Sequence, residues 1–175
     1  MAASARPAAC AGNASASLHE TSVATDRSRL ATNPIVLYTL AFGLGLVLNR
    51  FYPQRTLPDA LAFGLGAAVL VAGGVLATWT NRTVDRARSA HGARSASTVL
   101  VTTGPFDFSR NPMHLARTLL YVGTALERNA LWALATLIPL LVVMHLEVVR
   151  AEERVFEHRF GDAYRRYCAR VRRWV

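Results

Sequence analysis

The chain has no lysine: all 20 of its basic residues are arginine, set against 11 acidic residues for a formal net charge of +9. Biased genome composition explains the missing lysine more simply than a functional demand for guanidinium. Cysteine is nearly absent too. Cys10 and Cys168 lie far apart, fit no metal or redox spacing, and build no disulfide framework. Cys10 follows no apolar stretch, which argues against a secretory signal or lipoprotein site, and the terminal Arg-Arg-Trp-Val offers no prenylation box. Aromatic-basic modules of the nucleic-acid-binding kind are missing, and anionic lipid headgroups account for the positive charge equally well. What is plentiful is apolar: 52% of the 175 residues, in long uncharged runs that alternate with short arginine-rich stretches. Soluble folds mix the two along amphipathic elements, so this block pattern predicts an all-α polytopic membrane protein of one domain.

Residues 1–33 are rich in Ala, Ser and Thr without apolar periodicity and read as a disordered tail. The same composition fits an organellar transit peptide, and both readings stand. Residues 34–80 hold two candidate spans. Pro34 to Asn49 is uncharged but short against the roughly 20 residues a span needs, and Ala60 to Thr80 is uncharged throughout. In the second, Ala60, Gly64, Ala68 and Ala72 form a stripe of small residues suited to close helix packing or dimerisation. Oligomeric state is not legible. Residues 81–111 are polar, carry Arg82, Arg86, Arg88, Arg94 and Arg110, and belong outside the hydrocarbon.

Two further apolar helices, Met113–Leu126 and Ala130–Leu146, are expected as a tight hairpin hinged at Glu127–Asn129, with Pro139 kinking the second. Arg117 lies one turn into the third span and should face protein or the pocket rather than lipid. From Glu147 onward, Val149, Phe156, Phe160, Tyr164, Tyr167, Val171 and Trp174 mark the apolar stripe of a C-terminal amphipathic, interfacial helix. It is interrupted at Gly161, with Asp162 capping the next helix. Four spans would put the tail, the 81–111 loop and the C-terminus on one side. The opposite loops hold only Arg50, Arg55 and Arg128, so the positive-inside rule makes the first side cytoplasmic. The scattered histidines show no paired arrangement for haem, and no metal site is expected.

A hairpin returns its ends to one level, so Gly104–His114 and Arg150–Arg154 should be neighbours: guanidinium and amide facing two carboxylates. An interfacial salt-bridge belt would look the same. The run Leu100-Val-Thr-Thr-Gly-Pro-Phe-Asp-Phe-Ser-Arg-Asn-Pro-Met-His114 resembles the LVTxGxYxxxRHPxY signature of the isoprenylcysteine carboxyl methyltransferases, a family related to the phospholipid N-methyltransferases. Residues Glu152 to Tyr167 resemble their C-terminal EExxxxxxFGxxYxxY signature, in the expected order. Together they cover roughly residues 98–173.

The resemblance implies a methyltransferase built from membrane helices, with S-adenosylmethionine as cofactor in a cytoplasm-facing pocket and a lipophilic acceptor from the bilayer. That acceptor would be a carboxylate such as a prenyl-cysteine, or a lipid amine. Carried over by position, Thr98, Val99, Leu100, Val101, Phe106, Asn111, Pro112, Met113, His114 and Glu152 would contact the cofactor. Arg110 or Arg150 would orient an anionic acceptor, as guanidinium suits bidentate carboxylate contacts. Three positions depart from the pattern: Asn111 replaces His, while Phe106 and His114 replace Tyr. A non-catalytic helical protein that binds anionic lipid or a partner protein is the alternative. A related membrane reductase would need a nicotinamide cofactor, for which no separate dinucleotide signature is seen.

Overall fold

The computed structural model describes residues 33–55, 57–90 and 99–174. The tail, with its transit-peptide alternative, and the expected cofactor contact Thr98 lie outside the described residues. The described residues form six α-helices: α1 (Pro34–Phe51), α2 (Asp59–Ala90), α3 (Pro112–Glu127), α4 (Leu131–Val143), α5 (Arg150–Phe160) and α6 (Asp162–Arg170). A 3-10 turn, Gly104–Asp107, precedes α3, and a π turn, Met144–Val149, joins α4 to α5 without a break.

Local chemistry sets the ends. Asn33 accepts a hydrogen bond from the Ile35 amide at 3.0 Å, and Pro34 follows it at the first position of α1, where its missing N–H costs nothing. Asn129, with φ 50°, turns the chain between α3 and α4. Its side-chain amide donates to the Leu57 carbonyl at 2.7 Å, tying that turn to the loop before α2. Trp132 donates to the Tyr52 carbonyl at 2.8 Å and so closes the same end of the bundle.

Among the described residues three helical runs are long and apolar enough to cross a bilayer: Pro34–Phe51, Asp59–Ala90 and Leu131–Phe160. At 16 residues α3 reaches about 24 Å, short of the roughly 30 Å of hydrocarbon, and it carries Arg117. Polar residues Asn81–Ala90 continue α2 for over two turns where a loop was expected. The fourth apolar helix likewise does not end near Leu146 but runs through the π turn to Phe160.

The expected α3–α4 hairpin exists, yet each arm packs mainly elsewhere: α3 against α2, α4 against α1. Close approach explains the first pair. A Cβ on Gly66 would lie 2.5 Å from the Glu127 amide nitrogen, and one on Gly123 would lie 2.8 Å from Leu70. The buried face of α2 is thus Ala62, Gly66, Gly73 and Thr80. Internal packing by the Ala60–Gly64–Ala68–Ala72 stripe is not found: all four residues are exposed, and a Cβ on Gly64 would meet nothing within 4 Å.

Between α1, α3 and α4 the core combines Tyr38, Tyr121, Ala125, Ala133, Leu137 and Met144. Its phenols are satisfied, Tyr121 donating to the Ala133 carbonyl at 2.9 Å and Tyr38 sharing a 2.8 Å hydrogen bond with Thr118. Large side chains such as Leu40, Phe63, Val71, Ile138 and Val142 point outward, as lipid rather than water permits. Gly161 (φ 50°) does break the C-terminal segment, but Asp162 is the first residue of α6 and makes no cap bond. The apolar stripe of α5 and α6 is spent internally: Phe156, Phe160, Tyr164, Tyr167 and Val171 pack against Leu100 and Phe106.

Candidate active site

The turn before α3 is shaped by its own residues. Gly104 adopts φ 69°, and a Cβ there would press on Thr83 Oγ1 at 3.3 Å and Trp79 Nε1 at 3.4 Å, so glycine suits the position on two counts. Asp107 accepts from the Gly104 amide at 2.9 Å, and Ser109, fully buried, accepts from the Asn111 amide at 3.2 Å. Pro112 then opens α3. This path delivers Arg110, Asn111 and His114 to the face of α5 that carries Glu152 and Glu153.

Two carboxylates organise the cluster. Glu153, only 15% exposed, takes Arg110 Nη1 at 3.2 Å on one oxygen, and the Arg173 fork spans both oxygens at 2.9 and 2.7 Å. Glu152 accepts from His114 Nε2 at 3.1 Å, while His114 Nδ1 faces Arg117 Nη1 at 3.5 Å. An arginine cannot accept, so this contact fixes the tautomer with the proton on Nε2. His114 is 4% exposed, whereas the Glu152 side chain is 45% exposed and its second oxygen has no partner among the described residues.

A C-terminal strap, residues 171–174, closes over the turn. The Arg110 amide donates to the Arg172 carbonyl at 3.0 Å, and Asn111 Nδ2 donates to the Arg173 carbonyl at 3.1 Å. Trp174 stacks on His145 from the π turn, with ring centroids 6.3 Å apart. Arg173 Nη1 and Trp174 Nε1 stand 3.3 and 3.4 Å from the two nitrogens of His145. A neutral imidazole accepts at one nitrogen only, so these donors compete. Below the strap Tyr167 donates to the Phe106 carbonyl at 2.8 Å, and Arg110 donates to Cys168 Sγ at 2.9 Å. Burial pushes the Tyr167 phenol up to about 12 and raises Tyr164 further, with Cys168 and Glu153 adding to the latter shift. Burial works against the charge on Arg110, but Cys168 and Glu153 outweigh it, so its pKa is raised.

Of the residues expected to act, Arg110, Asn111, His114 and Glu152 are brought together. Pro112 is buried behind them, and Met113 is half-buried. Val99 and Val101 are half-buried in the lead-in, Leu100 packs with Tyr164 and Tyr167, and Phe106 is half-buried beside them. Arg150 stands apart, exposed and without an ion pair among the described residues. Sequence reasoning missed Glu153 as the hub, Arg173 and Trp174 as its strap, and Arg117 as the partner of His114. The doubled Glu152-Glu153 and the misplaced charge of Arg117 were the available hints.

The family profile of phospholipid methyltransferases matches residues 61–163, more than half of the chain. An uncharacterized protein of Haemophilus influenzae is 45% identical over 47 residues, 27% of this chain and 73% of that protein. No solved structure matches significantly. A profile match from α2 to the start of α6, over apolar helices able to cross a bilayer, makes this chain an integral membrane protein that belongs to the phospholipid methyltransferase family.

Proposed function

We propose that the protein is a methyltransferase that uses S-adenosylmethionine and methylates a lipophilic acceptor entering from the bilayer. The observation that carries this reading is Glu152, a carboxylate held by buried His114 at a half-open position, with one oxygen unpartnered among the described residues. S-adenosylmethionine supplies an electrophilic methyl group together with an ammonium, a carboxylate and an adenine ring. The residues present fit those groups. Glu152 accepts from the ammonium, backbone groups around Asn111–His114 meet the carboxylate, and Val99–Val101 with Phe106 offer an apolar wall. Arg110, whose guanidinium is engaged by Glu153 and Cys168, acts as a positioning residue. Arg150, free of ion pairs among the described residues, is the group available to orient an anionic acceptor.

Alignment and water exclusion are then the protein's main tasks. The strap serves both, because Arg173 and Trp174 tie residues beside the cluster to Glu153 and His145. A carboxylate acceptor attacks with its own lone pair and needs no base, whereas an amine must first lose a proton. In this reading all four apolar helices cross the membrane, α3 sheltered against α2, with α5, α6 and the Arg82–Arg110 region on the cytoplasmic side.

Calorimetry of the purified full chain with S-adenosylhomocysteine tests the proposal. Wild type should bind, and Glu152→Ala should weaken binding at least about tenfold, the loss of one charge-assisted contact. No wild-type binding at saturating ligand would sink the methyltransferase reading. Unchanged binding by the variant would sink the placement of the ammonium, and binding of NADPH instead would point to a reductase.

A further inference from the structure

An open concavity of about 630 Å³ runs along one side of α2, lined by Val71, Gly74 and Val75 at one end and by Trp79, Arg82 and Arg86 at the other. This is the outward side of the helix, since Gly66, Gly73 and Thr80 on the opposite side face α3. Val71 and Val75 are 67% and 62% exposed. Arg82 and Arg86 are exposed and make no ion pair among the described residues. The nearby acid, Asp85, already faces Arg88 at 3.6 Å. The side therefore presents an apolar half, an indole at the join, and two uncompensated positive charges.

We propose that this side of α2 binds one anionic phospholipid, with an acyl chain along Val71, Gly74 and Val75 and the phosphate on Arg82 and Arg86. The dimensions agree. From residue 71 to residue 82 the helix rises about 16 Å, and one leaflet contributes about half of the roughly 30 Å hydrocarbon thickness. Trp79 falls where indoles favour the membrane–water boundary, one turn inside the arginines. Gly74 leaves a notch in the helix surface, as a Cβ there would meet nothing within 4 Å. Charge decides between occupants. A second copy packed symmetrically through this face would bring four arginines together, whereas a net-negative headgroup offsets part of the charge of two. Trp79 also lies against Gly104 and Phe108 of the turn before α3, but none of the lining residues belongs to the His114–Glu152 cluster, and the site stands whether or not the chain transfers methyl groups.

Trp79 reports occupancy directly. The full chain in nanodiscs of phosphatidylcholine would be titrated with brominated phosphatidylglycerol or brominated phosphatidylcholine, a Trp79→Phe variant supplying the signal to subtract. The anionic quencher should half-quench Trp79 at a mole fraction about 30-fold lower, the equivalent of about 1 kcal/mol from each arginine. Arg82→Gln/Arg86→Gln should remove that preference while leaving quenching by brominated phosphatidylcholine. Equal quenching by both lipids in the wild type, or a preference that survives the double substitution, overturns the proposal. So does shielding of Trp79 from both lipids accompanied by cross-linking between copies. Should the double variant fail to fold, wild type alone still decides: high salt must erase the preference, and a salt-independent preference refutes the phosphate–arginine contact.

Discussion

Replacing Glu153 by alanine removes two charge-assisted hydrogen bonds from Arg173, at 2.7 and 2.9 Å, together with an ion pair to Arg110 at 3.2 Å. The two arginines differ in what happens next. Arg173 is 30% exposed in its side chain and regains water readily, so its share must be discounted. Arg110 is 16% exposed, and its Nε is already buried without a partner. Breaking a fully buried pair costs about 3–5 kcal/mol, so a figure of about 3 kcal/mol is reasonable for this half-buried hub. Glu152 gives the contrast: with a 45% exposed side chain and one bond to His114, its removal should cost at most about 1 kcal/mol. Thermal unfolding in nanodiscs, followed through Trp174 fluorescence, would separate the two. At about 2–4 °C per kcal/mol, Glu153→Ala should lower the midpoint by about 6–12 °C and Glu152→Ala by no more than a few degrees. The order should reverse for direct contact with S-adenosylhomocysteine, where Glu152 matters most. Equal midpoints for wild type and Glu153→Ala would refute the view that Glu153 clasps the C-terminal strap to the turn before α3.

Other perturbations give equally definite outcomes. Gly66→Ala places a Cβ 2.5 Å from the Glu127 amide nitrogen, and backbone cannot yield as a side chain can. A loss of about 1–3 kcal/mol is expected in detergent unfolding, whereas Gly64→Ala, with nothing within 4 Å, should be neutral or slightly stabilising. Equal effects would disprove the α2–α3 contact. Tyr167 is pushed up to about 12 from 10.0, chiefly by burial. A raised phenol favours the folded state while protonated, so its contribution is complete below pH 10 and is lost as pH rises through about 12. Tyrosinate absorbance should show a step near pH 12 that Tyr167→Phe removes while the later Tyr164 step remains, and a Tyr167-dependent step at pH 10 would contradict this burial.

The two N-terminal spans were legible because lipid imposes a one-dimensional rule: enough uncharged residues in a row. Which face of α2 packs was not. The small-residue stripe from Ala60 to Ala72 follows the local rule as well as Gly66 and Gly73 do, and only the position of α3 selects the second set. The neighbouring of the 104–114 and 150–154 segments followed from hairpin logic, and the contact of His114 with Glu152 bears it out. The pairing of Glu153 with Arg173 escaped notice because they are 20 residues apart with a helix break between them, and no periodicity links them. The same break at Gly161 was readable, since a glycine between two amphipathic runs carries its own reason. The continuation of α4 into α5 was hidden by a change from apolar to charged residues that ordinarily ends a span but here leaves the helix unbroken.

The π turn at Met144–Val149 has a consequence for descent as well as shape. A helix that accommodates one surplus residue sets the phase of everything after it, and each residue gained or lost rotates the downstream helix by about 100°. Glu152 and Glu153 meet His114 and Arg110 in the phase the π turn provides. A relative with one residue fewer between Val143 and Arg150 would present other positions of α5 to α3, even with both glutamates retained. Insertions and deletions in that short stretch, more than point changes, are therefore where lineages of this family would gain or lose the site.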